Sequence, residues 1–206
     1  QQIAQDAEIC PTITEHLDFI RVYAKRPVAG HLGINFKVSR PLTVAGEIWS
    51  DLITNPFGSS PIRSIANVNG VAIAGGGGGM IARSTDNGLT WDSLITNPFG
   101  ATNILSIANV NGVAIAGGES GMIARSTHNG LTWGSLITNP FGTSAIRSIA
   151  NVNGVAVAVG YDGKIARSTD NGLTWGSLIT NPFGGSAIRS IANVNGVAIA
   201  VGHGGK

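Results

Sequence analysis

A unit of 42 residues repeats through most of the chain, and it constrains the fold more than any other feature of the sequence. The same tryptophan recurs at this interval, as Trp49, Trp91, Trp133 and Trp175. Three full copies and one partial copy cover residues 62–103, 104–145, 146–187 and 188–206. Because near-identical repeats stack one small structural unit on the next, we expect an array of equivalent units.

Each unit has the pattern of four short strands. In the first full copy the strands are predicted at Ile62–Val68, Val71–Ala74, Met80–Arg83 and Leu89–Ile95. The Asn69-Gly70 pair predicts a hairpin turn, because both residues accept a positive φ. Pro98 falls in the loop after the fourth strand, since proline disrupts a central strand. Four strands in about 42 residues is the size of one propeller blade. The predicted fold class is therefore all-β, a β-propeller of four-stranded antiparallel blades.

The composition agrees with this class and excludes others. Charged residues make up 12% of the chain, about half the usual share, and 30 of the 206 residues are glycine. Collagen is excluded because no Gly-X-Y period runs through the glycines, and Gly, Asn and Thr disfavour a helical bundle. The net charge of +2 is spread over the repeats, so we expect no nucleic-acid partner. No apolar run is long enough for a membrane span, so no membrane insertion is expected.

One segment of the repeat resembles a known motif. Ser84–Trp91 reads Ser-Thr-Asp-Asn-Gly-Leu-Thr-Trp and resembles the Asp-box of sialidase-type (BNR) repeats. It recurs at Ser168–Trp175 and, with His128 in place of the aspartate, at Ser126–Trp133. The longer pattern that begins at Gly79 is especially similar to propellers related to photosystem II assembly factors. The resemblance covers residues 62–206 and implies a β-propeller, but it does not imply sialidase chemistry.

The Asp-box residues are expected to be structural. The aspartate can accept backbone N–H groups across its turn, the glycine supplies a positive φ, and the tryptophan buries aromatic surface between blades. These residues are Asp86, Gly88, Trp91, Gly130, Trp133, Asp170, Gly172 and Trp175. His128 should make a slightly weaker turn.

No enzymatic activity, cofactor or metal is expected. Arginines recur at one position of the repeat, as Arg83, Arg125 and Arg167. Sialidases hold a carboxylate with three arginines, but theirs do not come from this repeat position, and no Tyr–Glu nucleophile pair is recognisable. We expect these arginines to pack along the Asp-box hairpin.

The differences between the repeats gather in the loops after the second and the fourth strands. In an up-and-down blade these two loops lie on one face, and the unvarying turns lie on the other. Variation on one face indicates either a contact surface on a fixed scaffold or loops that simply tolerate change. If the face binds a ligand, the candidate residues are Asn103, Glu119, Tyr161, Asp162 and His203.

The ends of the chain are interpreted separately. Residues 1–31 do not repeat and are predicted to be an N-terminal attachment segment, with a strand at Phe19–Ala24, ahead of propeller blades in residues 32–206. The only cysteine, Cys10, allows no internal disulfide and is expected to pack as a small apolar residue. Phe36–Ile48 is similar to short β segments of phage tail-fibre proteins, which implies attachment to a larger assembly.

The last repeat is incomplete, and three explanations stay open. Gly33–Arg40 is predicted as a third strand, Pro41–Gly46 as a divergent hairpin, and Trp49 aligns with the fourth strand. In the first hypothesis these N-terminal strands complete the C-terminal blade and close a ring of four. In the second, two chains form a ring of eight blades. In the third, the sequence is part of a longer chain.

The leading functional prediction is a non-enzymatic structural or binding propeller of a virion appendage or a bacterial surface assembly. It would present the variable loops to a surface glycan or a protein receptor, at a virion or cell-surface location, and a homo-oligomer is considered. The first alternative is an intracellular scaffold, similar to assembly factors, that binds a partner protein in the cytoplasm. The second alternative is a designed repeat scaffold.

Overall fold

The computed structural model describes residues 55–205, which lie in one compact unit and form four consecutive antiparallel sheets. The first sheet contains β1 (Ile62–Val68), β2 (Val71–Gly76) and β3 (Ile81–Ser84). The second contains β4 (Ile104–Val110), β5 (Val113–Gly118) and β6 (Ile123–Ser126). The third contains β7 (Ile146–Val152), β8 (Val155–Gly160) and β9 (Ile165–Ser168), and the last contains β10 (Ile188–Val194) and β11 (Val197–Gly202). The all-β prediction is confirmed.

The second strand lies in the middle of each three-stranded sheet. One-turn 3-10 helices at Gly77–Gly79, Glu119–Gly121 and Tyr161–Gly163 connect it to the third strand. Several predictions fall outside the described residues. They are the attachment segment 1–31, the boundary at residue 32, the strands at 19–24 and 33–40, the hairpin at 41–46, the tail-fibre likeness at 36–48, Cys10 and Trp49.

The predicted Asn-Gly hairpin is confirmed in every repeat. Asn69 and Gly70 have φ values of 53° and 82°, so both central residues of the turn are left-handed. The Asn67 side-chain oxygen accepts the N–H of Gly70 at 2.9 Å. This turn geometry follows the natural twist of two antiparallel strands, which explains why Asn-Gly stands there.

The predicted fourth strand at Leu89–Ile95 is not a regular strand. Two backbone hydrogen bonds attach this segment to β3, from Asp92 N–H to Arg83 O at 2.9 Å and from Ile95 N–H to Ile81 O at 2.8 Å. The donors are three residues apart, whereas the acceptors are two residues apart. An extra residue on one side interrupts a ladder, so the segment stays irregular. Each blade is therefore three strands plus an irregular outer segment.

Neighbouring sheets pack face to face through isoleucines on the first strand. Ile104 and Ile107 of β4 lie against Gly75 of β2, where a methyl group would be 2.7 Å from the Ile107 side chain. Ile146 and Ile149 contact Gly117 in the same way one repeat later. The glycine lets the sheets approach closely enough to exclude water from the buried cluster between them.

The same polar contacts also recur between the sheets. The Ser64 hydroxyl accepts the backbone N–H of Ile107 at 2.8 Å, and Ser106 accepts that of Ile149 at 3.0 Å. The Asn69 amide donates to Gly112 O at 3.1 Å, across the same interface. Since equivalent bonds join each later pair of sheets, the sheets repeat one orientation, as propeller blades do.

The last sheet has two strands among the described residues, which leaves part of the third sheet uncovered. A groove of 610 Å³ there is lined mainly by apolar side chains, among them Val155, Val157 and Ile165. In the first two sheets the equivalent side chains are buried by the third strand and Asp-box of the following repeat. The N-terminal strands of the ring-closure hypothesis lie outside the described residues.

The Asp-box turn is held by a network around one carboxylate. Asp86 accepts hydrogen bonds from the Ser84 hydroxyl at 2.7 Å, from Thr90 N–H at 2.9 Å and from the Thr90 hydroxyl at 2.6 Å. The Ser84 hydroxyl in turn accepts the N–H of Gly88 at 2.9 Å. The bonds from Thr90 and Ser84 lower the pKa of Asp86 to about 2, because they stabilise the charged form.

The other two Asp-boxes differ in this network. Hydrogen bonds from Ser168 and Thr174 also lower the pKa of Asp170. In the second repeat, His128 Nδ1 is 2.7 Å from the Thr132 hydroxyl. Ser126 still accepts the N–H of Gly130 at 3.0 Å, so the turn keeps its shape without a carboxylate.

The Asp-box also touches the preceding sheet. A methyl group at Gly130 would lie 2.7 Å from the side chain of Ile73, and one at Gly172 would lie 2.6 Å from that of Ile115. Trp133 packs against a buried cluster made of residues from the first two sheets. The motif therefore secures each blade to the one before it.

The first prediction concerns acid stability. A carboxylate whose pKa is lowered on folding stabilises the protein above its unfolded pKa, near 3.8, and loses that effect as the pH falls through about 2. We expect the thermal midpoint of the protein to fall between pH 4 and pH 2. The double variant Asp86→Asn/Asp170→Asn should melt roughly 2–8 °C lower at pH 7 and lose less in acid. Circular dichroism melts at each pH measure both effects, and parallel curves for the two proteins would contradict the expectation.

The second prediction compares two glycines with nearly the same φ. Gly121 (φ 65°) faces Gly142 O, which would be 2.0 Å from an added methyl group, whereas Gly142 (φ 60°) has open space. Gly142→Ala should cost about 1 kcal/mol from its left-handed backbone alone. Gly121→Ala should cost about 3 kcal/mol or more, because a backbone must move as well. Urea unfolding measures both, and equal losses would show that this close approach is absent.

Candidate functional site

The variable loops lie together at one end of the sheets. In each repeat the turn after the second strand bonds to the residue just before the first strand. The N–H groups of Gly77, Glu119, Tyr161 and His203 donate to the carbonyls of Pro61, Asn103, Ala145 and Ala187 at 2.8–3.0 Å. We call this end the loop face, made of residues 59–61, 77–79, 101–103, 119–121, 143–145, 161–163, 185–187 and 203–205. The Asn-Gly and Asp-box turns meet at the other end, where Asn69 donates to the side chain of Asn129 at 2.9 Å.

Asn103 and Glu119 form one cluster on the loop face. The Asn103 amide donates to the Glu119 carboxylate at 3.1 Å, and its side-chain oxygen accepts the N–H of Gly78 at 3.0 Å. Asn103 thus connects the first two repeats. Both predicted residues therefore already have partners within the protein.

Tyr161 forms a second cluster with two arginines. The Arg147 guanidinium lies over the Tyr161 ring, 4.4 Å from its centre, and donates a hydrogen bond to the phenol oxygen. The Arg189 guanidinium is 6.0 Å from the same ring centre. A cation over an aromatic face is held in place by the ring quadrupole, so the ring orients both guanidinium groups.

Asp162 and Lys164 extend this second cluster. The Ser144 hydroxyl donates to the Asp162 carboxylate at 2.7 Å, and Lys164 Nζ donates to Ser144 Oγ at 2.7 Å and to Phe141 O at 2.8 Å. A cavity of 270 Å³ lies beside them, lined by Asp162–Lys164 and residues of the 178–184 segment. Asp162 has a φ of 56°, a conformation that costs energy for any residue other than glycine.

The second cluster carries a net positive charge, because the Asp162 carboxylate offsets only one of the cations Arg147, Lys164 and Arg189. Within residues 55–205, the one ion pair joins Arg83 and Asp92 at 3.4 Å. Arg147, Lys164 and Arg189 therefore have no carboxylate at salt-bridge distance in this part of the chain. The Nε of Arg147 is buried and has no hydrogen-bond partner. A group of cations in this arrangement favours an anionic ligand.

The comparison of repeats missed these cations. At the second position of the first strand, Leu105 stands where the other repeats have Arg63, Arg147 and Arg189. At the position after the 3-10 turn, Lys164 replaces the methionine of the first two repeats. Both differences are visible in the sequence, but only the fold places these positions beside Tyr161.

His203 is exposed on the loop face in the fourth repeat, at the position that Tyr161 has in the third, and its backbone N–H donates to Ala187 O at 2.9 Å. Of the other predicted residues, Asn103 and Glu119 contact each other, whereas Tyr161 and Asp162 belong to the second cluster. Arg83, Arg125 and Arg167 lie in three different sheets, on β3, β6 and β9.

Two further features concern metals and membranes. Residues 55–205 contain no group of three His, Cys, Asp or Glu side chains that could hold a metal ion. No helix in this part of the chain is long and apolar enough to span a membrane.

No family model and no curated protein matches the chain. Among solved structures it is similar to YCF48 bound to a D1 peptide, with 20% identity and a TM-score of 0.58 over 70% of this chain and 48% of that one. YCF48 from Cyanidioschyzon merolae has 20% identity and a TM-score of 0.56, over 70% of this chain and 50% of that one. The computationally designed Ika4 protein has 16% identity and a TM-score of 0.59, over 77% of this chain and 96% of that one. The chain spans about half the length of the two YCF48 structures. The chain has the β-propeller fold, built from Asp-box repeats that resemble those of the photosystem II assembly factor propellers.

Proposed function

We propose that the chain is a non-enzymatic binding propeller that holds an acidic segment of a partner protein on its loop face, at Tyr161. The observation that carries this proposal is the pair of guanidinium groups around the Tyr161 ring, with Lys164 nearby and no carboxylate within salt-bridge distance of any of these cations in the described residues. An arginine held in place by an aromatic ring loses little freedom when it binds a carboxylate, which favours affinity.

The comparison of repeats supports a binding role for this turn. The first repeat makes the same turn with Gly77 and Gly78, so the fold does not require the side chains of Tyr161 and Asp162. Asp162 nevertheless keeps a left-handed backbone that glycine would adopt more easily. A polar side chain in this conformation makes the turn a candidate binding surface, as does the equivalent Ser120 in the second repeat.

A peptide is the ligand class that the comparisons favour. YCF48, which has a similar fold, has been solved with a bound D1 peptide. The 270 Å³ cavity beside Asp162 and Lys164 has the size of one or two side chains rather than of a deep substrate pocket. This proposal corresponds to the intracellular scaffold, the alternative interpretation of the sequence. The virion-appendage interpretation depends on residues 36–48, which lie outside the described part, and it stays a prediction.

The third prediction uses substitutions that the repeat itself provides. Arg147→Leu introduces the residue of the second repeat, Lys164→Met that of the first two, and Tyr161→Gly that of the first. We expect a fluorescein-labelled acidic peptide, rich in Glu and Asp with one aromatic residue, to bind the wild-type protein. Each variant should weaken binding by about tenfold or more, because it removes a cation or its support.

Thr127→Ala is the matched control, because Thr127 is exposed at the opposite end of the sheets. Fluorescence anisotropy titrations at two salt concentrations measure the dissociation constants. A lysine-rich peptide of the same length should not bind. Equal affinity of the two peptides, or unchanged affinity of the Arg147 variant, would refute the proposal.

A further inference from the structure

The first described sheet exposes two isoleucines that are buried in every later repeat. Ile62 is 48% exposed and Ile65 is 62% exposed. Their counterparts in the second repeat, Ile104 and Ile107, are 0% and 5% exposed, and those of the later repeats are at most 8% exposed. We call this surface of β1 the start face. Among residues 55–205, no sheet precedes β1 to cover these two side chains as their counterparts are covered.

The last described sheet exposes the opposite half of the same contact. Val197, Ile199 and Val201 on β11 are 62%, 49% and 52% exposed. In the second sheet the corresponding residues Val113 and Ile115 are 8% and 0% exposed, because the next sheet covers them. We call this surface of β11 the end face.

The two faces match each other residue by residue. Within the chain, the isoleucines on the first strand of one sheet pack against the second strand of the sheet before it. They contact the fifth residue of that strand, as Ile104 and Ile107 contact Gly75 of β2. By the same register, Ile62 and Ile65 would pack on Val201. The third internal interface already has a valine at this position, since Val159 is fully buried beside Ile188 and Ile191. The larger residue is therefore compatible with this packing.

The unused polar groups match as well. The N–H of Ile107 bonds to the Ser64 hydroxyl, and this bond recurs at each internal interface. Within the described part, Ile65 N–H and the Ser190 hydroxyl are the donor and acceptor left at the two ends. Similarly, the Asn69 amide donates to Gly112 O, and this bond also recurs at each internal interface. Within the described part, the Asn195 amide is the donor left at the end face, and Gly70 O is the acceptor left at the start face.

The Asp-box contact completes the correspondence. The glycine of an Asp-box packs against the second strand of the sheet before it, at the third residue of that strand, as Gly130 does on Ile73 of β2. At the ends, a methyl group added at Gly88 would meet no described atom within 4 Å, and Ile199 is exposed. Gly88 of a following unit would therefore cover Ile199.

We propose that the end face of one copy of this chain binds the start face of a second copy. The contact repeats an interface that the chain already makes three times, with the same apolar residues, donors and acceptors. None of the residues that form the start face and the end face is charged, so an apolar partner with this register fits both faces. The interaction is head to tail, so an open assembly keeps one free start face and one free end face until a ring of copies closes.

The test blocks the two faces separately in the full 206-residue chain. Ile65→Glu puts a charge on the start face, and Ile199→Glu puts one on the end face. Both positions are exposed in the single chain, so neither substitution buries a charge in the monomer. Light scattering after size-exclusion chromatography measures the mass of each species.

The expected results form one pattern. The wild-type chain should have a mass of at least two copies of 21.0 kDa, and each variant alone should be a monomer. An equimolar mixture should form a one-to-one complex, because each variant still carries the face that the other lacks. Leu131→Glu, which changes an equally exposed leucine outside both faces, should associate like the wild type.

Three results would overturn the proposal. The first is a monomeric wild-type chain at about 100 µM, which would also be the outcome if the chain closed on itself. The second is a variant that is folded by circular dichroism and still associates like the wild type. The third is a mixture of folded monomeric variants that stays monomeric. Since this test reads mass and not peptide binding, its failure leaves the proposed function intact.

Discussion

The packing of isoleucines from one sheet onto the second strand of the sheet before it is the contact on which the rest of the structure depends. A three-stranded sheet with strands of four to seven residues cannot cover its own apolar surface. Ile104 and Ile107 cover that surface on the preceding sheet, and the burial of each stabilises the fold by about 1.5–3 kcal/mol. Gly75 and Gly117 set the short distance between the sheets. A repeat of 42 residues is thus a repeat of one interface.

This interface also explains why one end of the sheets varies and the other does not. At the turn end, side chains carry bonds between sheets, as Asn69 does to Gly112 and Asn129. A change there would remove a contact with the neighbouring blade. At the loop face, the constant bonds run between backbone atoms, as from Tyr161 N–H to Ala145 O. Side chains on the loop face can change without loss of the fold, so this face is available for binding.

Much of the architecture could be predicted from the sequence, because its signals are local. Asn69-Gly70 requires only the φ preferences of two adjacent residues, and the Asp-box requires only a turn of eight residues. The prediction of a fourth strand was wrong because a strand at residues 89–95 would need to pair in regular register with β3. Asp92 and Ile95 are spaced differently from their acceptors on β3, and no pattern within the segment reveals this.

The candidate site was predicted only in part, for a similar reason. Tyr161 and Asp162 stand out because the other repeats have different residues there. Arg147 lies on the first strand, 14 residues before its hydrogen-bond partner Tyr161, and Arg189 comes from the next repeat. Their proximity follows from the pairing of β7 with β8 and from the stacking of β10 on them. Sequence comparison within the repeat can flag such positions, but only the sheet register brings them together.

The most direct test of the inter-sheet contact is amide hydrogen exchange at Ile107 and Ile149, measured by NMR. Within their own sheets these N–H groups have no strand partner, because they donate to Ser64 and Ser106 of the preceding sheet. We expect both amides to exchange as slowly as those paired between β4 and β5. Fast exchange at Ile107 and Ile149, with the sheet amides still protected, would show that the blades form without this packing and that the fold does not depend on it.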